Sequence, residues 1–203
     1  KTIEFEKKFN DYIGSKNSIS MNSATAALHL ALKAIGLQQN DEVIIPTKTF
    51  IATAEVVTYF GAKPDLCDIE ESTHNIDVTK IEFLITNKTK AIIPVHFSGQ
   101  PCDMDEIYSI AKKYNLKVIE DCAHAIEAEY QGRKVGTFGN FGCFSFYVTK
   151  NVVTGEGGMV IARDDHDIER VKMLALHGMS RDAWRRFSDA GFKHYQVVEC
   201  GFK

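Results

Sequence analysis

The chain has 203 residues, 44% of them apolar, with 24 basic and 27 acidic residues giving a formal net charge of −3; this suffices for one α/β domain with a real core, and the interspersed signs offer nucleic acid no basic field to follow. No apolar run approaches the roughly 18 residues of a membrane span, and the first residues, Lys1-Thr-Ile-Glu-Phe-Glu-Lys-Lys, alternate charged and apolar groups as an amphipathic helix does and a signal peptide does not. The five cysteines, Cys67, Cys102, Cys122, Cys143 and Cys200, are odd in number and never spaced Cys-x-x-Cys, so they read as buried thiols of a reducing cytoplasm.

After the N-terminal helix, residues 17–22 are a short strand candidate and the Ala- and Leu-rich stretch 24–35 a helix. A strand follows over 42–46, then a helix over 49–60 and a strand over 63–68. The β-branched run 90–96 predicts another strand, leading through a loop to a helix over 104–114 with Asp103 as its N-cap. Strands at 116–120, 141–146 and 158–162 come next, and a helix over 165–176 closes the series. Apolar runs alternating with helix-period segments specify a mostly parallel sheet covered on both faces, a three-layer α/β/α sandwich. With no repeat or low-complexity tract, residues 1–180 are expected to form one domain, with the remaining residues an exposed tail beyond it. In that tail Arg181, Arg185 and Arg186 surround Trp184, either as a solvated charged face or as contacts for a nucleotide diphosphate.

Open α/β sheets bind ligands beyond the carboxyl ends of their strands, and the chemically suggestive residues fall there. Asp121 comes directly after an apolar strand; a carboxylate so placed pairs with a protonated pyridine nitrogen, or equally caps the next helix or meets a metal. Lys150 lies between the strand ending in Phe144-Ser-Phe-Tyr-Val-Thr and the glycine-rich Gly155-Glu-Gly-Gly158. An amine held partly out of water there loses its proton more easily and attacks a carbonyl to form a Schiff base. In Asn22-Ser-Ala-Thr-Ala-Ala-Leu28 a strand hands over to a helix through small residues, which makes either a phosphate cradle or an ordinary N-cap by Ser23 or Thr25. Ser145 can add a hydroxyl to the same phosphate. Phe50 can stack on a flat heterocycle or fill core under its loop, and His124, three residues after Asp121, can bond a ring oxygen or be satisfied by backbone. Lys150 and Asp121 together point to a pyridoxal 5'-phosphate enzyme. The chain carries no dinucleotide fingerprint, no Gly-x-Ser-x-Gly elbow and no zinc-type histidine spacing, so no catalytic metal is expected.

Five blocks, 22–32, 41–53, Pro94-Val-His-Phe-Ser-Gly99, Glu120-Asp-Cys-Ala-His124 and 145–158, stand in the order and spacing of the DegT/DnrJ/EryC1/StrS aminotransferases, which the chain resembles from about Phe5 to its last residue. The resemblance implies the large domain of an aspartate-aminotransferase-like fold and transfer of an amino group, from glutamate, to a nucleotide-linked keto-sugar in amino-sugar and cell-surface polysaccharide biosynthesis. It implies Lys150 as the lysine bonded to pyridoxal phosphate, Asp121 on the pyridine nitrogen, Ala24, Thr25 and Ser145 on the phosphate, and Phe50 stacked on the ring. His124 stands where many members have glutamine. Family members are longer and act as homodimers with shared active sites, so the resemblance implies that this chain is a C-terminally shortened piece, with residues 181–203 the start of a connection to a smaller C-terminal domain. A regulatory or sensory relative that keeps the fold without catalysis is the alternative.

Overall fold

The computed structural model describes residues 1–180 and 196–202. Arg181, Trp184, Arg185 and Arg186, with most of the expected connection, lie outside the described residues. In chain order the elements are α1 (Thr2–Ile13), β1 (Ser18–Met21), α2 (Ala24–Ala34), β2 (Glu42–Pro46), α3 (Ala52–Thr58), β3 (Lys63–Cys67), α4 (Val78–Leu84), β4 (Thr89–Ile92), α5 (Met104–Tyr114), β5 (Lys117–Asp121), β6 (Glu129–Tyr130), β7 (Arg133–Lys134), β8 (Phe141–Ser145), β9 (Gly158–Ala162) and α6 (Asp165–Leu174). Among the described residues, seven strands form one sheet in the order β1-β9-β8-β5-β4-β2-β3, and β6 and β7 form a separate hairpin. Only β9 runs against the rest, antiparallel to both β1 and β8; the pairs among β2, β3, β4, β5 and β8 are parallel.

Alternation along each strand sends side chains to two cores, as a sheet buried on both faces requires. Val43 and Ile45 of β2, Ile119 of β5, Phe141 and Cys143 of β8 and Val160 of β9 face α2, α3 and α6. Ile44, Ile92 and Val118 face the opposite way, onto Ile81 of α4 and Met104 and Ile107 of α5. Beside them Phe144, Met159 and Ile161 pack on Phe9 and Ile13 of α1. The architecture is the expected three-layer α/β/α sandwich, with α5 capped by Asp103, whose side chain accepts from Glu106 N–H.

Several boundaries differ from expectation, each for a local reason. The strand expected over 90–96 ends at Ile92, because Pro94 carries no N–H for the ladder; the chain then makes a single bridge, Val95 to Asp121. Asp121 is itself the last residue of β5 rather than the first beyond it. The helix expected from residue 49 starts at Ala52, since residues 47–51 form the loop over the sheet edge. The short α4, with Asp77 accepting from Thr79 N–H at its start, and the β6–β7 hairpin span too few residues to announce a period. Four cysteines are buried free thiols, but Cys200 is exposed, which corrects the expectation for that residue. Among the described residues no helix is long and apolar enough to cross a membrane.

Candidate active site

The reversal of β9 concentrates chain at one edge of the sheet. The end of β8, the start of β9 and the end of β1 meet there, with Ser145 and Met21 both paired to Gly158. The loops 22–23, 47–51, 93–103, 122–128 and 146–157 all rise from this edge. Lys150, Asp121, His124, Ser145, Ala24, Thr25 and Phe50 all lie on one of them or at the strand or helix end beside it.

Asp121 is fully inside: only 5% of its surface is exposed. It shares the face of Ile119, towards α2 and α3, and Thr53 of α3 donates its hydroxyl to Oδ2 at 2.9 Å. Ala123 N–H donates to Oδ1 at 3.1 Å. The backbone is clamped as well, with Asp121 N–H on Pro94 O at 2.9 Å and His96 N–H on Asp121 O at 3.2 Å. Burial pushes the carboxyl pKa up, and the two hydrogen-bond donors, Ala123 N–H and the Thr53 hydroxyl, pull against it.

Lys150 sits in the 146–157 loop, which is tied at its neck by Phe146 N–H to Gly157 O (2.9 Å) and Thr154 N–H to Phe146 O (3.0 Å). Its own N–H donates to Tyr147 O at 2.9 Å, fixing a turn that returns the side chain to the sheet edge. The amine is half-buried, and burial lowers its pKa from 10.5 while Asp121 opposes the shift. His124 is exposed, yet partial burial and the charge of Lys150 lower its pKa, again with Asp121 opposing. The three groups therefore feel one another's charge: the structure brings Lys150, Asp121 and His124 together.

The expected phosphate end forms a second cluster. Ser23 caps α2, accepting from Ala26 N–H on its hydroxyl (3.1 Å) and from Ala27 N–H on its carbonyl (3.1 Å). The N–H groups of Ala24 and Thr25 have no acceptor among the described residues, which leaves the positive helix end open. Gly158 explains how this end lies so close to the sheet. A Cβ there would run into the Ser23 carbonyl and come within 2.6 Å of Ala24 N. Ser145, on the same strand face as Cys143, lies one strand away, paired with Gly158. Its hydroxyl is half-exposed and accepts Tyr147 N–H at 3.3 Å. Phe50 stands apart, 74% exposed at the crest of its loop, with no aromatic ring stacked on it among the described residues.

Sequence reasoning missed Thr53, a fully buried residue of α3 that binds Asp121 directly and whose hydroxyl lies 2.7 Å from that of Thr49. The one available signal was the pair of threonines four apart entering a helix. It also missed the buried pair behind Asp121. Glu120 accepts from the N–H groups of Gly136 (2.6 Å), Phe138 (2.8 Å) and Gly139 (2.6 Å). His96 Nδ1 accepts Cys102 N–H at 3.1 Å, so the proton is on Nε2, which donates to Glu120 at 3.1 Å. Cys122 lies close enough for these three side chains to be compared with a metal site. Glu120 and His96 already have full sets of hydrogen-bond partners, so the cluster is accounted for as a clamp.

Chemically, the edge presents an amine of lowered pKa, a buried carboxylate short of a cation, and an open helix end suited to an anion. The family model of the DegT/DnrJ/EryC1/StrS aminotransferase family matches residues 1–203. The chain is 48% identical over 192 residues to GDP-perosamine synthase of Caulobacter vibrioides, covering 95% of this chain and 52% of that protein. It superposes on the aminotransferase from Psychrobacter cryohalolentis with a TM-score of 0.94 and 40% identity, over 100% of this chain and 51% of the other. The PLP-form of the putative sugar aminotransferase Spr1654 from Streptococcus pneumoniae gives a TM-score of 0.89 and 32% identity, over 100% of this chain and 54% of the other. The chain spans about half the length of these relatives. With one family's model running its full length and solved aminotransferases sharing its fold, the chain belongs to the DegT/DnrJ/EryC1/StrS aminotransferase family.

Proposed function

We propose that this chain is the cofactor-holding part of a pyridoxal-phosphate-dependent aminotransferase that moves an amino group, with glutamate as donor, onto a nucleotide-linked keto-sugar. Bound pyridoxal phosphate supplies an aldehyde carbon that accepts amines and a cationic ring that takes up the electrons of a substrate carbon losing its proton. The observation carrying the reading is the convergence of Lys150, Asp121 and the α2 N-terminus on one sheet edge.

The residues fit such a group. Asp121 has one donor on each oxygen and acceptor capacity left over, and its pKa, raised by burial, would be drawn down by a cationic partner. A pyridinium N–H is that partner, and the pair keeps the ring protonated. The Ala24 and Thr25 N–H groups with the hydroxyls of Thr25 and Ser145 suit a phosphate dianion, and Gly158 keeps the cradle tight against the sheet. Phe50 offers an exposed aromatic face.

Lys150 Nζ, half-buried and of lowered pKa, gives up its proton more easily than a solvated lysine does and so bonds the aldehyde carbon more readily. Released by the incoming amine, the same Nζ takes the α-proton of the donor as general base and later returns a proton to the keto-sugar carbon. His124, held neutral, donates one ring N–H to the oxygen substituent of the ring. Its replacement by glutamine is expected to be mild, since an amide N–H makes the same bond.

The test is a panel of nucleotide-linked keto-sugars offered with glutamate to the full-length gene product. Amino sugar and 2-oxoglutarate should appear in equal amounts for one member. Amino transfer to none of them, by a preparation that has taken up cofactor, would contradict the reading.

A further inference from the structure

One cation at the same edge has no part in the chemistry above. Lys48 follows β2 in a loop fixed on both sides of it: Thr47 N–H donates to Cys67 O at 2.8 Å, and Thr49 is joined to Thr53 and so to Asp121. Its half-buried ammonium stands 4.5 Å from the centroid of the Phe97 ring and has no carboxylate or other hydrogen-bond partner among the described residues. A ring face is a weaker partner for an ammonium than an oxyanion is.

The ring under Lys48 is itself a built platform. Phe97 N–H donates to Oδ1 of buried Asn75 at 3.0 Å, and the Asn75 amide donates to the carbonyls of Gln100 (3.0 Å) and Pro101 (2.9 Å). The ring makes edge contacts with His74 at 5.9 Å and with His124 at 6.4 Å between centroids. One aromatic ring thus separates the Lys48 ammonium from the imidazole that feels both Lys150 and Asp121.

The substrates of the proposed reaction are anionic: an amino acid donor carries carboxylates and a nucleotide-linked sugar carries phosphates. Something fixed and cationic must meet them, and Lys150 is unsuited because it reacts without its proton. The described arginines are committed elsewhere, Arg133 to Thr137, Arg163 to Phe138 O and Tyr108, and Arg170 to Glu199. We propose that Lys48 is the anion-recognition residue of this active site, holding a substrate oxyanion, the donor's carboxylate or the nucleotide's phosphate, beside the Phe97 platform. The inference rests on the aminotransferase reading and deepens it, since it makes Lys48 a determinant of substrate specificity.

The experiment measures calorimetric binding of 2-oxoglutarate and, separately, of uridine and guanosine diphosphates to the cofactor-loaded full-length protein, as wild type, Lys48→Met and Lys48→Arg. Loss of one charge-assisted contact should weaken binding about ten- to a hundredfold in Lys48→Met, with recovery in Lys48→Arg and unchanged cofactor absorbance. Weakening confined to 2-oxoglutarate assigns the contact to the donor's carboxylate, and weakening confined to a diphosphate assigns it to the nucleotide. Weakening of both with recovery by arginine marks a subsite the two substrates share. Unchanged affinity for every probe, binding of none by the wild type, or a loss that arginine does not restore overturns the proposal. Failure of the wild type to take up cofactor at all would instead strike the aminotransferase reading beneath it.

Discussion

Asp121 is held in a form that favours its partner's arrival. Buried with a raised pKa, it binds its proton more tightly in the folded chain than in the unfolded one. Its contribution to stability is therefore complete below the ordinary carboxylate value of 3.8 and is lost as pH climbs through the raised folded value. Thermal melts of the cofactor-free protein should show this fall, Asp121→Asn should flatten it, and pyridoxal phosphate should reverse it by supplying the missing cation. The same variant, unable to keep the ring nitrogen protonated, should retain some cofactor but slow proton removal greatly in stopped-flow measurements. Thr53→Val strips one donor from the buried carboxylate and should cost about 1–3 kcal/mol of stability by denaturant titration. Asp121 was legible in the sequence because a carboxylate at the end of an apolar strand is conspicuous, and Lys150 because it lies between an apolar strand and a glycine-rich turn. Thr53 was not, since a threonine on an apolar helix face looks like packing, and Lys48 was not, since a loop lysine belongs to no pattern until the ring beneath it is known.

At the level of elements, the site exists because β9 runs backwards. That reversal sets the start of β9 between the ends of β1 and β8, and the absence of a side chain at Gly158 lets the α2 N-terminus settle on it. Gly158→Ala should lever the helix end away and destabilise the fold by about 1–3 kcal/mol, the usual cost of overpacking. Affinity for pyridoxal phosphate should fall much more than affinity for unphosphorylated pyridoxal in fluorescence titrations; equal losses would argue against a phosphate cradle there. Strands such as β2 and β9 were readable from their apolar, β-branched runs, and α5 from its period and Asp103 cap. The direction of β9 was not, because a two-residue alternation reads the same both ways, and Pro94 shortened β4 through a missing hydrogen bond rather than through polarity.

For the whole molecule, we propose that two copies share active sites. Exposed Phe50, Ile51, Tyr147 and Val148 stand on the two loops that flank the site, an apolar rim suited to burial against another chain. The full-length protein should sediment as a homodimer, and a stable monomer with full cofactor affinity would contradict shared sites. The central claim is that the amine of Lys150 takes the cofactor while the Asp121 carboxylate receives the other end of its ring. Borohydride reduction of the full-length protein with pyridoxal phosphate, followed by peptide mass spectrometry, tests it most directly. The account predicts a single pyridoxyl label on Lys150 that disappears in Lys150→Ala together with the visible absorbance; a stoichiometric label on another lysine, or undiminished turnover by the alanine variant, would contradict it.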